Sequence, residues 1–369
     1  MAPIRVLVVD DSVVMRRMVT HVLEAEPDIE VVGFAANGRL GLAKIEQLRP
    51  DAVTLDIEMP EMDGLATLPL LRAAHPDLPV IMCSTLTEQG ASATFEALSL
   101  GASDYVTKPS NGGGMDAAMA QLSGDLIPKV RALCASVGRR GGSGPAPAAV
   151  PSSTHLVRSS DSPASRVEAV VIGVSTGGPN ALAELIPSLP ADLPVPVLVC
   201  QHMPPTFTRL LAERLDGRSP LHVSEATHGE PVRAGGVWIA PGGSHLEVRR
   251  SAGGGIVTAL TVEPPENSCR PSVDPLLRSA TATFGAGVLA VILTGMGQDG
   301  LRGCEGVIEA GGRTIAQDEA TSVVWGMPGY VARAGLADEI LPLSTIAAAI
   351  VRRTSPSAAL SVPAQSARR

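Results

Sequence analysis

A chain of 369 residues is too long for one ordinary core, and 45% hydrophobic with 18% charged residues describes a globular protein rather than a disordered, collagen-like or coiled-coil one. Aromatic residues make up only 2%, too few for the stacking platforms of single-stranded nucleic-acid or carbohydrate binders. The net charge of −8 is uneven: residues 1–125 hold 8 basic against 18 acidic residues and residues 126–369 hold 21 against 19, so no basic excess is available for DNA phosphates.

The N-terminal stretch MAPIRVLVVDDS carries acids where a signal peptide would be apolar, and no apolar run reaches the ~18 residues of a membrane span. The expectation is a cytoplasmic protein without membrane insertion and without a nucleic-acid partner. Short Val/Ile-rich runs then alternate with helical patterns: strands at 4–9, 30–35, 52–55, 79–84 and 104–107, helices at 12–26, 38–48, 64–74, 88–100 and 115–135. The strands are continuously apolar, as expected where helices cover both faces of a parallel sheet. The five cysteines form no CxxC pair and read as small buried hydrophobes.

Residues 136–165 are rich in Ser, Gly, Pro and Ala and keep no apolar period, which reads as a linker. The same βα grammar restarts at 168–174, with strands at 196–200, 288–293 and 313–316, helices from about 179 and 205 and at 274–285 and 299–310, and a Gly-rich stretch, 229–262, that reads as hairpins. The chain is thus expected to be α/β with two doubly wound parallel-sheet domains, the second Rossmann-like with a β-hairpin insertion. It divides as 1–125, a linker assigned to 126–165, 166–353, and a Ser/Ala/Pro-rich disordered tail, 354–369.

In the first domain Asp10, Asp11 and Asp56 stand at strand ends, which converge on one crevice in an open parallel sheet. Such a cluster repels itself unless a hard cation neutralises it, and Lys108 and Ser84 stand on the same edge. The set suits transfer of a phosphoryl group onto an aspartate, against the plainer reading of a solvated acidic rim. With VVDDS (8–12), LDIEMPEMDG (55–64), Ser84 and YVTKP (105–109), residues 1–125 resemble the flavodoxin-like receiver domain of two-component response regulators. The resemblance implies that a histidine kinase phosphorylates Asp56. It further implies that Asp11, Asp56 and the backbone carbonyl of Glu58 hold Mg²⁺ with Asp10 behind them, and that Ser84 and Tyr105 form a switch pair beside Lys108.

In the second domain GVSTGGPN (173–180) places Ser175 on a tight strand-to-helix turn, either as a nucleophile or as a helix cap. A serine nucleophile needs a base. His202 follows the next strand on the same edge, with His245 a competing base, and Asp299 follows a third strand as a candidate orienting acid. Residues 166–353 resemble the catalytic domain of the chemotaxis protein-glutamate methylesterases through GVSTGGP (173–179), QHMP (201–204), APGGSHL (240–246), RPSVDPL (270–276), LTGMGQDG (293–300) and AQDEATSVVWGMP (316–328). The resemblance implies a phosphorylation-regulated hydrolase with Ser175 as nucleophile, His202 as base and Asp299 as orienting acid, and with Thr176 and the Met296 N–H shaping the oxyanion site. Its substrates would be γ-methyl esters and glutamines of methyl-accepting chemotaxis receptors, and no cofactor is required at this second site. Arg270, Ser272 and Asp274 either bind substrate or pin a loop. The competing readings are a serine esterase or amidase of another two-component pathway and a non-catalytic, phosphorylation-dependent binding module.

Overall fold

The computed structural model describes residues 2–109, 114–140 and 166–355, in two compact units. The first is a parallel sheet with strand order β2-β1-β3-β4-β5, built from β1 (Ile4–Val9), β2 (Ile29–Ala35), β3 (Ala52–Asp56), β4 (Val80–Ser84) and β5 (Asp104–Thr107). Helices α1 (Val13–Glu24), α2 (Gly38–Leu48), α3 (Gly64–Ala74), α4 (Glu88–Ser99) and α5 (Gly114–Arg140) connect and follow these strands. Each of the first four begins at a residue whose side-chain oxygen accepts from the first turn: Ser12, Asn37, Asp63 and Thr87. The chain order reverses at β1, so β1 and β3 open a crevice at their carboxyl ends, where Asp10, Asp11 and Asp56 lie.

The division at residue 125 is corrected by α5. This helix runs into the segment assigned to the linker as far as Arg140, with Leu126, Ile127, Val130 and Leu133 buried and Arg131 paired with Glu26 and Asp28. An apolar stripe at helical spacing, flanked by charges, overrides a linker reading. The rest of the expected linker, 141–165, including His155, and residues 356–369 of the expected tail lie outside the described residues, whereas Thr354, assigned to that tail, closes α11 (Leu343–Thr354) and is buried.

The second unit is a seven-stranded parallel sheet, order β14-β13-β12-β6-β7-β9-β8. Its strands are β6 (Ala169–Val174), β7 (Val197–Gln201), β8 (His222–Glu225), β9 (Gly236–Ile239), β12 (Val288–Ile292), β13 (Arg313–Gln317) and β14 (Glu339–Leu341). Its helices are α6 (Gly178–Leu185), α7 (Phe207–Asp216), α8 (Val273–Phe284), α9 (Leu301–Glu309), α10 (Met327–Arg333) and α11 (Leu343–Thr354). The doubly wound expectation holds for both units. The Gly-rich stretch differs from expectation: β10 (His245–Arg250) and β11 (Ile256–Thr261) do form an antiparallel hairpin, but β9 joins the main sheet in parallel beside β7. Trp238 and Ile239 are buried on β9, and each such side chain contributes about 1.5–3 kcal/mol, which outweighs the glycines around it.

The central strands β6 and β12 are fully buried. Chain order reverses at β6, with β7 on one side and β12 on the other, so the crevice of this sheet opens where these three strands end.

Candidate active site

Ser175, His202 and Asp299 leave three adjacent strands at that reversal. Val174 of β6 is the register partner of Gln201 of β7, so Ser175 and His202 are the next residues out on neighbouring parallel strands, and the His202 N–H donates to Val174 O. Ser175 is half-buried, and its N–H donates to Thr294 O just past β12 at 3.0 Å. The turn requires small residues. Gly177 has φ +75°, a conformation costly to a side chain, and a Cβ at Gly295 would stand 2.8 Å from Ser175 Cβ and 2.5 Å from Met327 Sδ. Met296 is therefore the residue directly after the backbone that abuts Ser175. Thr176 is buried, its carbonyl accepting from Thr294 Oγ1 at 3.0 Å.

His202 Nε2 lies 2.7 Å from Asp299 Oδ2, with the carboxylate 2% exposed. A carboxylate only accepts, so Nε2 carries the proton and the lone pair falls on Nδ1. Asp299 also accepts from Ser272 Oγ (2.8 Å), Asn267 Nδ2 (2.8 Å) and the N–H groups of Val273 (2.7 Å), Asp274 (3.1 Å) and Gly300 (2.9 Å). Two of these N–H groups open α8, so the helix start that would otherwise carry orphan donors holds the carboxylate. Burial alone would raise the Asp299 pKa, but His202 and these donors keep it below the usual carboxylate value. Burial likewise opposes a proton on His202, yet the Asp299 carboxylate and the nearby Cys269 sulfur override it and raise the imidazole above its ordinary value.

His245, weighed as a competing base, is turned elsewhere. It is 1% exposed, its Nδ1 accepts from Ser272 N at 3.2 Å, and its Nε2 donates to Pro264 O at 3.2 Å. Arg270, Ser272 and Asp274 are tied into the fold: Arg270 donates to Val262 O and Glu263 O, Ser272 to Asp299, and Asp274 Oδ1 on α8 accepts from Gly303 N on α9. Two participants went unassigned in the sequence. Gln201, within QHMP, donates through Nε2 to both Ser175 O (3.0 Å) and His202 O (3.3 Å). Asn267 sits in ENSC, a segment without periodicity or motif, and no local pattern marks it.

In the first unit, one oxygen from each of Asp10, Asp11 and Asp56 lies within 4.8 Å of the others. Lys108 Nζ pairs with Asp56 Oδ1 (2.7 Å) and Asp10 Oδ2 (3.1 Å). Asp11, Asp56 and Lys108 border a cleft of about 220 Å³ that Glu58 and Ser84 also line. Burial pushes the Asp56 carboxyl up to about 6, with Asp10 adding to it and Lys108 opposing. Three carboxylates against one lysine leave uncompensated negative charge in an all-oxygen set, which fits a hard divalent cation such as Mg²⁺. Ser84 Oγ is buried and donates to Gly90 O at 3.0 Å. Tyr105 is buried, with Lys129 Nζ 5.1 Å from its ring centroid.

The two sheets and their sites define a class: a response-regulator receiver joined to an α/β hydrolytic domain. Family models agree, the response regulator receiver domain matching residues 6–120 and the CheB methylesterase matching residues 170–350. The protein-glutamate methylesterase/protein-glutamine glutaminase of Nocardioides sp. is 54% identical over 368 residues, covering 99% of each chain. That of Trichodesmium erythraeum is 48% identical over 356 residues, covering 96% of this chain and 99% of its own. The Thermotoga maritima CheB methylesterase catalytic domain superposes with a TM-score of 0.50 and 45% identity, covering 51% of this chain and 99% of that one. The chain belongs to the protein-glutamate methylesterase/protein-glutamine glutaminase family. Among the described residues, no helix is long and apolar enough to cross a membrane.

Proposed function

We propose that the chain is a phosphorylation-regulated hydrolase that cleaves glutamate γ-methyl esters, and deamidates glutamines, on methyl-accepting chemotaxis receptors. The observation that carries this reading is the His202–Asp299 pair, 2.7 Å apart, on the strand end next to the Ser175 turn. His202 Nδ1 takes the Ser175 proton as Oγ attacks the γ-carbonyl carbon. The imidazolium returns that proton to the departing methoxide, so methanol leaves and an acyl-serine remains. Water, deprotonated by His202, then attacks the acyl carbon and restores Ser175. Main-chain N–H groups beside Thr176 and Met296 stabilise the tetrahedral oxyanion, a contribution of roughly 3–4 kcal/mol per donor. A γ-carboxamide presents the same carbon and releases ammonia instead. The test is methanol release from methylated receptor, set against release from generic methyl esters; a rate on generic esters equal to that on receptor would remove the receptor from the assignment.

A pH dependence follows. The base works only when neutral, and its pKa stands above the ordinary 6.5. Activity is therefore lost as pH falls through that raised value, and the acid limb of kcat/KM is expected to lie above pH 6.5. A pH–rate profile in saturating buffer checks this; a limb below that value contradicts the pairing with Asp299.

At the receiver site Asp56 accepts the phosphoryl group from a histidine kinase. Mg²⁺, when bound by Asp11, Asp56 and the Glu58 carbonyl with Asp10 behind, neutralises charge there. Lys108 steadies the acyl phosphate, and Ser84 and Tyr105 act as the switch pair. Asp56→Asn is expected to abolish labelling by a radioactive phosphodonor, as is removal of Mg²⁺ by chelation. Full labelling of the variant would move the acceptor elsewhere.

A further inference from the structure

Two carboxylates are buried side by side in the second unit, Asp299 in the loop before α9 at 2% exposure and Asp274 in the first turn of α8 at 1%. Burial raises the Asp274 pKa, and the charge of Asp299 raises it further. One side-chain amide joins them. Asn267 Nδ2 donates to Asp299 Oδ1 at 2.8 Å and to Asp274 Oδ2 at 2.9 Å, one hydrogen of the NH₂ for each acceptor.

The backbone is bent to bring the amide there. Asn267 has φ +52° and Ser268 φ +62°, a left-handed pair that asparagine tolerates better than most residues, closed by Glu266 N to Cys269 O (3.1 Å) and Cys269 N to Glu266 O (2.9 Å). Asn267 is otherwise exposed, so burial of an apolar surface does not account for its place.

We propose that Asn267 is a positioning residue of the hydrolytic site, its amide bridging Asp299 and Asp274 so that the Asp299 carboxylate stays turned toward His202 while Asp274 remains ionised beside it. The inference rests on the Ser175–His202–Asp299 reading above. Without the amide, Asp274 Oδ2 loses a donor and Asp299 loses one of the bonds that tame its basicity. The Asp299 change holds the His202 proton more tightly and loosens the carboxylate's aim, and it outweighs the Asp274 change, which favours a neutral Asp274 and acts through a longer distance. The other ionisable groups in this neighbourhood include Cys269, which faces His202, Glu266, paired with Arg278 at 2.7 Å, and the buried His245, Cys200 and Cys304, whose thiols burial holds in the neutral form.

The test uses full-length variants and methanol release from methylated receptor across pH. Asn267→Gly keeps the left-handed backbone at no steric cost and deletes the amide. It is expected to lower kcat about tenfold, the size of one charge-assisted hydrogen bond, with KM within about twofold. The acid limb should move up by roughly half a unit to one unit. Asn267→Asp keeps the side chain's shape and puts a third carboxylate at the bridge, so its limb should move up further. The His202 titration, followed by NMR in the Ser175→Ala background, reads the same shift without turnover. An Asn267→Gly enzyme with unchanged limb and kcat overturns the inference, as does an effect confined to KM. If the glycine loosens the loop, the Asn267→Asp titration decides, and an unmoved His202 there overturns it. Ser175→Ala run alongside separates the two levels: turnover surviving in it removes the underlying reading, whereas a dead Ser175→Ala beside parent-like Asn267 variants removes this inference alone.

Discussion

Ser175→Ala is expected to lower methanol release from methylated receptor by at least about a thousandfold, leaving the melting temperature close to that of the parent. In the proposed mechanism Oγ is the only atom that becomes acylated, while the turn is held by its main chain: Ser175 N to Thr294 O, Gly178 N to Ser175 O, and Gln201 Nε2 to Ser175 O. Rate and stability therefore separate. Should the variant keep more than a few per cent of the parent rate, Ser175 is a turn residue and the phosphorylation-dependent binding module becomes the better description.

The second large effect is Asp299→Asn. The carboxylate receives six donors, and the incoming NH₂ must face some of them in either orientation: Val273 N and His202 on one side, or Ser272, Asn267, Asp274 and Gly300 on the other. Donor then meets donor. His202 also loses the acceptor that fixes its proton on Nε2, so Nδ1 no longer offers a lone pair reliably. The expected loss is about a thousandfold to ten-thousandfold in kcat, together with about 2–4 kcal/mol of stability in urea titrations. This variant, unlike Ser175→Ala, should fail in both assays. A stable, slow variant would mean that Asp299 orients the base but does not anchor α8.

Much of this was legible in the chain itself, for identifiable reasons. Strands buried on both faces read as uninterrupted apolar runs, so β6, β7 and β12 and the residues just beyond them could be found by eye, and with them Ser175, His202 and Asp299. Asp10, Asp11, Asp56 and Lys108 were visible in the same way. What stayed hidden depends on contacts remote in sequence. β9 lies in a Gly-rich stretch whose local chemistry suggests hairpins, and only its pairing with β7 and β8 makes it an interior parallel strand. β14, three residues long, and α10, seven, are too short to carry a period. Asn267 is invisible for the same reason: its function lies in bonds to residues 7 and 32 positions away, across a bent loop. The helix expected at 115–135 carries the apolar stripe of α5, but the division that starts a linker at 126 cuts across it, and residues 136–140 read as linker because a Gly/Ser-rich segment follows.

An aspartyl-phosphate site that controls a serine esterase on the same chain must change the rate of ester turnover when it is phosphorylated. The most direct measurement is the rate of methanol release from methylated receptor by the full chain, with and without a small-molecule phosphodonor, in the parent and in Asp56→Asn. The donor is expected to speed release by the parent and to leave Asp56→Asn at its basal rate. No methanol under any condition, or equal stimulation of both proteins, would contradict it.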